Sequence, residues 1–151
     1  MSWESVLDEI IRLEELRTRE AAGSLSPVQV RRKIQEACKD AVGVIRYDED
    51  LEAAKAELKR ILDEDFPKMA VRSSEREYNL DWKEAIENLN ILQSAQLMVE
   101  ATLLREESRM QYIRPSFPDI DDDNWKKMLL LLSLDDSGEF VSEKHQMASI
   151  D

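Results

Sequence analysis

One stretch of the chain, from Asn79 to Trp125, constrains the fold more than any other. Between about Asn79 and Arg109, apolar residues recur every three or four positions, which is the spacing of an amphipathic α-helix. Roughly 30 residues at 1.5 Å each give a helix of about 45 Å, long enough to span a small domain. Its apolar stripe consists of Trp82, Ile86, Leu89, Leu92, Val99 and Leu103, widened by Ala85, Ala95, Met98 and Ala101. Other helices can pack along this stripe, so the pattern predicts a helical bundle.

Two shorter helices are predicted near the start of the chain. Ser2 can cap the first, and Gly23-Ser24 ends it. The second begins at Ser26-Pro27-Val28-Gln29, where a cap residue, a first-turn proline and a glutamine at the third helical position form a capping box. The predicted buried faces are Val6, Ile10, Leu13 and Leu16 in the first helix, and Val30, Ile34, Ala37, Cys38 and Ala41 in the second.

A third helix is predicted to begin at Asp48, where three consecutive acidic residues suit the positive end of a helix dipole. Pro67 stops it, because proline lacks the backbone amide and disfavours helical geometry in the residue before it. Residues 68–78 are mixed and polar and are interpreted as a connection. The apolar stripe of this helix is Leu51, Ala54, Leu58, Ile61 and Leu62.

The end of the chain is predicted to be less regular. Pro115 and Pro118 favour an extended segment, and Asp121-Asp122-Asp123 can cap a short helix that carries Trp125, Met128 and the run Leu129 to Leu132. Residues 135–141 are interpreted as a turn that leads into a strand, and residues 143–151 as a frayed tail. The fold class is therefore all-α: one domain over residues 1–151, an antiparallel three- to four-helix bundle with a short C-terminal β-hairpin.

Charge and cysteine usage exclude several classes of function. The 21 basic and 33 acidic residues give a net charge of -12, so nucleic acid and anionic membranes are repelled. Cys38 is the single cysteine, which fits a reducing compartment. No apolar run approaches the roughly 20 residues of a membrane span. We therefore expect a cytoplasmic protein without direct membrane insertion.

Sequence patterns for cofactor and metal sites are absent. Phosphate-binding loops need closely spaced glycines, and the two nearest glycines, Gly23 and Gly43, are far apart in the sequence. His145 is the single histidine and Cys38 has no partner cysteine, so a zinc site is not indicated. The acidic cluster at 119–123 lacks the ligand spacing of a calcium loop and is better explained as helix capping.

Catalytic groups are not indicated either. Glu106 and Glu107 are neighbours in sequence and point to different faces of a helix, which does not favour a general acid/base pair. Ser108 has no histidine near it in the sequence. Arg105, Arg109 and Arg114 are different, because three guanidinium groups follow the long helix within a few residues of one another. They could lock a turn through bidentate ion pairs or contact a partner, and the residues alone leave both interpretations open.

Four short motifs follow one another in the same stretch. They are Arg105-Glu106-Glu107-Ser108-Arg109, Tyr112-Ile113-Arg114, Phe117-Pro118 and Asp122-Asp123-Asn124-Trp125, preceded by Asp40 to Arg46. This ordered set resembles the C-terminal helical domain of the succinate dehydrogenase and fumarate reductase flavoproteins, a family that includes L-aspartate oxidase and the adenylylsulfate reductase α subunit. The resemblance covers about residues 25–141.

One feature departs from the family's usual sequence pattern, and another resembles a single branch of the family. Where the family usually has glycine, a small residue and histidine, this chain has Met110, Gln111 and Tyr112, so any role of that histidine is absent. The ending at 135–140 resembles the hairpin of the adenylylsulfate reductase branch. The resemblance therefore leaves the parent substrate open among dicarboxylates, aspartate and adenylylsulfate.

The resemblance implies a scaffolding role. In such proteins the flavin and catalytic residues belong to preceding domains, so this chain is expected to be a spectrin-repeat-like bundle without catalytic, cofactor or metal residues of its own. FAD is implied in the parent protein, and the implied partners are an iron–sulfur subunit together with a flavin-binding domain or subunit. The residues expected to be structural or docking are Arg105, Glu107, Ser108, Arg109, Arg114, Asp122, Asn124 and Trp125.

The departures at residues 110–112, together with the acidic surface, leave a second hypothesis. The chain could be a free-standing acidic helical module that binds other proteins. In either case an exposed apolar patch is expected, because a domain separated from its partner leaves the former interface in water. Such a patch could pair two copies of the isolated chain into a homodimer.

Overall fold

The computed structural model describes residues 3–19, 25–135 and 139–147. Within them the chain forms five α-helices followed by one two-stranded antiparallel sheet, so the prediction of a mostly helical fold with a short C-terminal hairpin is confirmed. The elements are α1 (Trp3–Thr18), α2 (Pro27–Cys38), α3 (Asp48–Arg60), α4 (Leu80–Leu104), α5 (Asp122–Trp125), β1 (Met128–Leu134) and β2 (Phe140–Gln146). The Ser2 cap and the Gly23-Ser24 stop lie outside the described residues.

The chain divides into two compact units. The first comprises Met1–Ala37 and Glu57–Ala95, and the second comprises Cys38–Ala56 and Gln96–Asp151. The prediction of one domain over residues 1–151 stays a prediction. The buried apolar residues of the first unit include Leu16, Val30, Ile34, Leu58, Ile61, Phe66, Met69, Ala85, Leu89, Leu92 and Ala95. Those of the second unit include Ala41, Leu51, Ala54, Val99 and Trp125.

The start of α2 is the capping box predicted from the sequence. The backbone N–H of Ser26 donates to Gln29 Oε1 at 2.8 Å, and the backbone N–H of Gln29 donates to Ser26 Oγ at 3.3 Å. Val30 and Ile34 are buried one turn apart on this helix. Local side-chain chemistry therefore sets the first residue of α2.

The apolar stripe predicted for α1 is only partly correct. Leu16 is buried, but Ile10 is 50% exposed. The helix carries a second apolar stripe that the prediction missed, and its large side chains face solvent in the described structure. These are Trp3, Leu7, Ile10 and Ile11, with exposures of 75%, 43%, 50% and 56%. An exposed apolar patch of the kind expected for a docking domain is therefore present on α1.

The end of α3 is more irregular than a helix stopped by a proline. The α-helix ends at Arg60. A π-helical turn, Ile61–Asp65, follows it, and then a 3₁₀ turn, Phe66–Lys68, that contains Pro67.

Asp65 is a buried carboxylate, 4% exposed, that accepts hydrogen bonds from Lys33 Nζ and Arg60 at 2.8 Å each. These two cations lower the pKa of Asp65 despite its burial, with the Arg60 bond as the larger cause.

α4 begins where the sequence predicts. Asn79 Oδ1 accepts the backbone N–H of Trp82 at 3.0 Å and so caps the helix. Asn88, two turns further on, is fully buried: its Nδ2 donates to the carbonyl of Pro27 at 2.6 Å and its Oδ1 accepts from Arg31 Nε at 2.9 Å. This amide ties α4 to α2 within the first unit.

Replacing Asn88 with alanine is expected to lower the free energy of unfolding by about 2–3 kcal/mol, because the buried partners lose their hydrogen bonds. Asn90→Ala is the matched control, since Asn90 is exposed on the same helix and gains the same helix propensity. Urea denaturation measures the free energy of unfolding of both variants. Equal stability of the two variants would contradict a role for the buried amide.

The C-terminal hairpin corrects two predictions. Met128 and the run Leu129 to Leu132 do not belong to a helix, since α5 ends at Trp125 and these residues form β1. Residues 143–146, expected to fray, form part of β2 and pair with residues 128–131. Leucine favours helices locally, but pairing with β2 decides the structure here. The predicted turn falls partly on residues 136–138 and the rest of the tail on 148–151, which lie outside the described residues.

Candidate functional site

The segment from Arg105 to Trp125, here called the arginine turn, centres on a buried carboxylate in the second unit. The side chain of Glu107 has 0% exposure, whereas those of Arg105 and Arg109 are 36% and 27% exposed. Arg105 Nε donates to Glu107 Oε1 at 2.9 Å, and a second Arg105 nitrogen, Nη2, bonds the same oxygen. Arg109 Nη2 donates to Oε2 at 3.0 Å, and the backbone N–H of Asp121 donates to Oε2 at 3.1 Å. The carboxylate therefore holds the two ends of the turn together.

The electrostatics keep this carboxylate ionised. Burial by itself raises the pKa of Glu107, but the hydrogen bonds from Arg109 and Arg105 outweigh it and bring the pKa below its ordinary value. Arg109 also donates to Asp122 Oδ1 at 2.7 Å, and its own pKa is raised, mainly by the Glu107 bond. Because the acidic partners stay charged near neutral pH, this cluster is a fixed ion network and not a proton-transfer pair.

Arg114 is the second buried centre of the turn and is 2% exposed. Its Nη1 donates to the carbonyls of Thr102, Leu103 and Arg105 at 2.9, 3.0 and 3.0 Å. Its Nη2 pairs with Asp48, the first residue of α3, and the hydrogen bond from Arg114 lowers the pKa of Asp48. One guanidinium group therefore binds the end of α4 to the start of α3.

This contact corrects the predicted end of the long helix. The sequence pattern places the end near Arg109, but α4 ends at Leu104. The last carbonyls of a helix have no hydrogen-bond donor within the helix. Here the Arg114 side chain donates to those of Thr102 and Leu103. A side chain ten residues further along the chain thus terminates the helix.

Ser108 fixes the interior of the turn and is 8% exposed. Its Oγ accepts the backbone N–H of Arg114 at 2.8 Å and donates to the carbonyl of Phe117 at 2.7 Å. A serine engaged on both sides by backbone groups is not an activated nucleophile. Its role in this geometry is to hold residues 108–117 in a compact loop.

Tyr112 occupies the position where the family usually has histidine. Its hydroxyl donates to the carbonyl of Thr102 at 2.8 Å, and its ring lies 4.8 Å from the Arg46 guanidinium. Burial raises the pKa of its phenol group. The tyrosine therefore stays neutral at pH 7 and packs against the end of α4.

Met110 is strained at the tip of a tight turn closed by paired backbone hydrogen bonds between Arg109 and Tyr112. Its φ is 54°, a left-handed conformation that favours glycine, and its side chain is 92% exposed. Glycine, the usual residue of the family at this position, would adopt this conformation without strain.

We expect Met110→Gly to raise the free energy of unfolding by about 0.5–1 kcal/mol. Relief of left-handed strain, about 1–2 kcal/mol, exceeds the extra chain entropy that glycine loses on folding. Gln111→Gly is the control, because Gln111 is not among the described non-glycine residues with positive φ and should be destabilised by the change. Thermal denaturation compares the two, and a lower melting temperature for Met110→Gly would contradict the strain.

The remaining predicted site residues close the turn. Asp121 caps α5 by accepting the backbone N–H of Asn124 at 3.0 Å, and Asn124 Nδ2 donates to the same carboxylate at 2.8 Å. Trp125 is 5% exposed, with the Arg105 guanidinium 5.6 Å and Lys144 Nζ 3.9 Å from its ring. Asp122 and Asn124 are exposed at this end of the turn.

Sequence reasoning missed three residues of this site. Asp48 was predicted as part of a helix cap, but its carboxylate pairs with Arg114 across 66 sequence positions. Thr102 and Tyr112 were not selected as site residues, although Thr102 Oγ1 accepts from Arg46 at 2.8 Å. The segment from Asp40 to Arg46 was a signal for this contact, because it belongs to the motifs of the resemblance.

The described residues hold neither a metal-binding cluster nor an activated thiol. Among the described residues, no group of three His, Cys, Asp or Glu side chains could hold a metal ion. Burial raises the pKa of the Cys38 thiol, which is the opposite of nucleophile activation. Within the described parts of the chain, no helix combines the length and apolarity that crossing a bilayer requires.

Gly43 does not form the phosphate-binding loop of a flavin site. A flavin dinucleotide needs backbone amides at closely spaced glycines to approach its phosphates. Of the three glycines, Gly43 lies in the described structure, and a Cβ placed there would meet the Ile45 carbonyl oxygen at an ordinary 3.4 Å. No close-approach cradle exists at that position.

Comparison with known proteins agrees with the motifs. The family model described as "Fumarate reductase flavoprotein C-term" matches residues 31–149. A fumarate reductase (CoM/CoB) chain of Methanothermobacter marburgensis is 30% identical over 128 residues, which are 81% of this chain and 22% of that protein. The fumarate reductase flavoprotein subunit of Mycobacterium tuberculosis is 31% identical over 117 residues, 78% of this chain and 20% of that protein.

Solved structures share the fold. A chain of the Mycobacterium smegmatis Sdh1 complex superposes with a TM-score of 0.84 at 24% identity, over 97% of this chain and 25% of that one. A chain of E. coli quinol fumarate reductase gives a TM-score of 0.84 at 19% identity, over 98% of this chain and 25% of that one. These structures show that the chain has the fold of a helical domain with a C-terminal hairpin.

The chain belongs to the family of C-terminal domains of fumarate reductase and succinate dehydrogenase flavoproteins. It spans about a fifth to a quarter of the length of the relatives and structures that it matches. The parent family consists of FAD-dependent oxidoreductases.

Proposed function

We propose that this chain is the scaffolding and docking domain of an FAD-dependent oxidoreductase of the succinate dehydrogenase and fumarate reductase type. It has no flavin or substrate site of its own and is not catalytic in isolation. Its partner is the flavin-binding domain or subunit, and in an assembled enzyme an iron–sulfur subunit lies beside it. The lone Cys38 supports a reducing, cytoplasmic compartment.

The observation that carries the proposal is the composition of the arginine turn. Its buried groups, Glu107, Ser108 and Arg114, all bond other residues of the turn or nearby helix ends. These bonds fix the shape of the turn, and none of the three buried groups is a free acid, base or nucleophile. A rigid segment with the family motifs and without chemistry supports a structural role.

The outward stripe of α1 supports docking. Trp3 and Ile11 are 75% and 56% exposed, with Leu7 and Ile10 between them on the same side. Large apolar side chains in a row on one helix are typical of a surface that a partner covers. We assign the flavin-binding part of the parent protein as that partner.

A chimera tests the proposal. This chain replaces the 128-residue region that it matches in the Methanothermobacter fumarate reductase chain, which keeps the two parts tethered at high effective concentration. We expect the chimera to retain at least half of the FAD per chain of the intact relative after gel filtration. The control lacks the matched region altogether, and a chimera with as little FAD as this truncated control would contradict docking.

A further inference from the structure

β1 has one unpaired side. At one end of the hairpin the backbone N–H of Met147 donates to the carbonyl of Lys127. At the other end the backbone N–H of Asp135 donates to the carbonyl of Glu139. Hydrogen-bonded pairs alternate along an antiparallel ladder. Bonding to β2 therefore falls on the odd-numbered residues of β1: Leu129, Leu131 and Ser133. The N–H and C=O groups of Met128, Leu130, Leu132 and Leu134 point away from β2, and among the described strands none pairs with this edge.

This edge lacks the features that usually prevent strand pairing. Exposed edges are commonly protected by charged side chains, prolines or bulges. β2 carries Glu143 and Lys144, whereas β1 has the sequence MLLLLSL without a charge or a proline. An open cleft of about 570 Å³ borders β1, and its lining includes Leu130 and Leu132 but no residue of β2. The cleft therefore lies beside β1 and not beside β2.

We propose that β1 pairs edge to edge with β1 of a second copy of this chain, which creates a four-stranded antiparallel sheet across a two-fold axis. With the axis at Leu131, Leu130 lies opposite Leu132 of the second copy, and Met128 lies opposite Leu134. The backbone groups of all four outward residues then find partners in one register. The contact is self-complementary, as a two-fold interface must be.

Charge favours a second copy in this register. The chain carries a net charge of -12, so most pairs of surfaces repel each other. The seven residues of β1 are uncharged, and the same register places Lys127 of each copy opposite Asp135 of the other. Opposite charges directly across a strand pair are stabilising. Attraction at both ends of an uncharged strand distinguishes this edge from the rest of the acidic surface.

A strand pair of this length is a small interface, so the dimer should be weak. Sedimentation velocity of the full chain from about 1 µM to 1 mM measures the dissociation constant of the dimer. Amide hydrogen exchange by NMR locates the contact, because the amides of Leu130 and Leu132 should exchange at least tenfold more slowly at the high concentration. The amides of Leu129 and Leu131, already bonded to β2, should not change.

Two variants separate this contact from a general effect of charge. Leu131→Lys places two like charges at the axis on the exposed face, and we expect the dissociation constant to rise at least tenfold. Val141→Lys makes the same charge change on the same face of the hairpin, but on β2, and should alter the dissociation constant less than threefold. A wild-type chain that stays monomeric at 1 mM overturns the proposal. Concentration-dependent protection on α1 instead of β1, or equal effects of the two variants, overturns it as well.

Discussion

Replacing Glu107 with alanine is expected to lower the free energy of unfolding by about 3–5 kcal/mol, because two arginines lose a shared buried partner. The melting temperature should fall by roughly 10 °C. The carboxylate has 0% exposure and also accepts the Asp121 amide, so no water can replace it without opening the turn. Glu106→Ala is the control at the exposed neighbouring position and should change stability by about 0.5 kcal/mol or less.

The pH dependence provides a second check of the same residue. The folded-state pKa of Glu107 lies below its unfolded value, so its contribution to stability is fully present above the unfolded pKa, near 4.5. It is lost as pH falls from there through the folded-state pKa. Glu107→Gln removes the titrating group, so the stability difference between wild type and this variant should shrink as pH falls below about 4.5. A difference that stays constant over that range would contradict an ionised Glu107 in the folded state.

Replacing Arg114 with alanine is expected to cost about 3–5 kcal/mol as well, because Asp48 loses its partner and the end of α4 loses its cap. Arg114→Lys keeps the charge but cannot reproduce the forked geometry that reaches three carbonyls and a carboxylate, so it should recover less than half of the loss. Chemical denaturation provides the free energies.

A change at Asp48, the ion-pair partner of Arg114, should destabilise the fold less than a change at Arg114 itself. The Asp48 side chain is 43% exposed, whereas that of Arg114 is 3% exposed, so water can compensate a change at Asp48. Asp48→Asn should cost about 1 kcal/mol, clearly less than Arg114→Ala. If the two variants were equally destabilised, the ion pair would be the main contribution, and the helix cap assigned to Arg114 would be wrong.

The parts of the fold that follow from neighbouring residues could be predicted from the sequence. The capping box at Ser26 and Gln29 depends on four consecutive residues, and the start of α4 depends on Asn79 and the pattern after it. Buried positions on α4, such as Leu89, Leu92 and Val99, follow from helical periodicity.

The errors occur where distant residues decide the structure. α4 ends at Leu104 because Arg114 binds its last carbonyls, which periodicity cannot show. Leu129 to Leu132 form a strand because β2 pairs with them, against the local preference of leucine. α1 has two apolar stripes, and the residues alone do not tell which one faces the core.

The candidate site shows the same division. The family motifs selected eight residues of the arginine turn as structural or docking residues, but the bonds among them required the structure. Asp48 was missed because it lies 66 positions from Arg114. No local pattern links an aspartate at the start of one helix to an arginine that follows another.

We infer that the flavin site belongs to another part of the protein and not to this chain. Titration of the folded chain with FAD, followed by flavin fluorescence and visible absorbance, tests this inference most directly. We expect both signals to stay those of free FAD at every ratio. Stoichiometric quenching with a shifted absorbance band, reached at one FAD per chain, would contradict it.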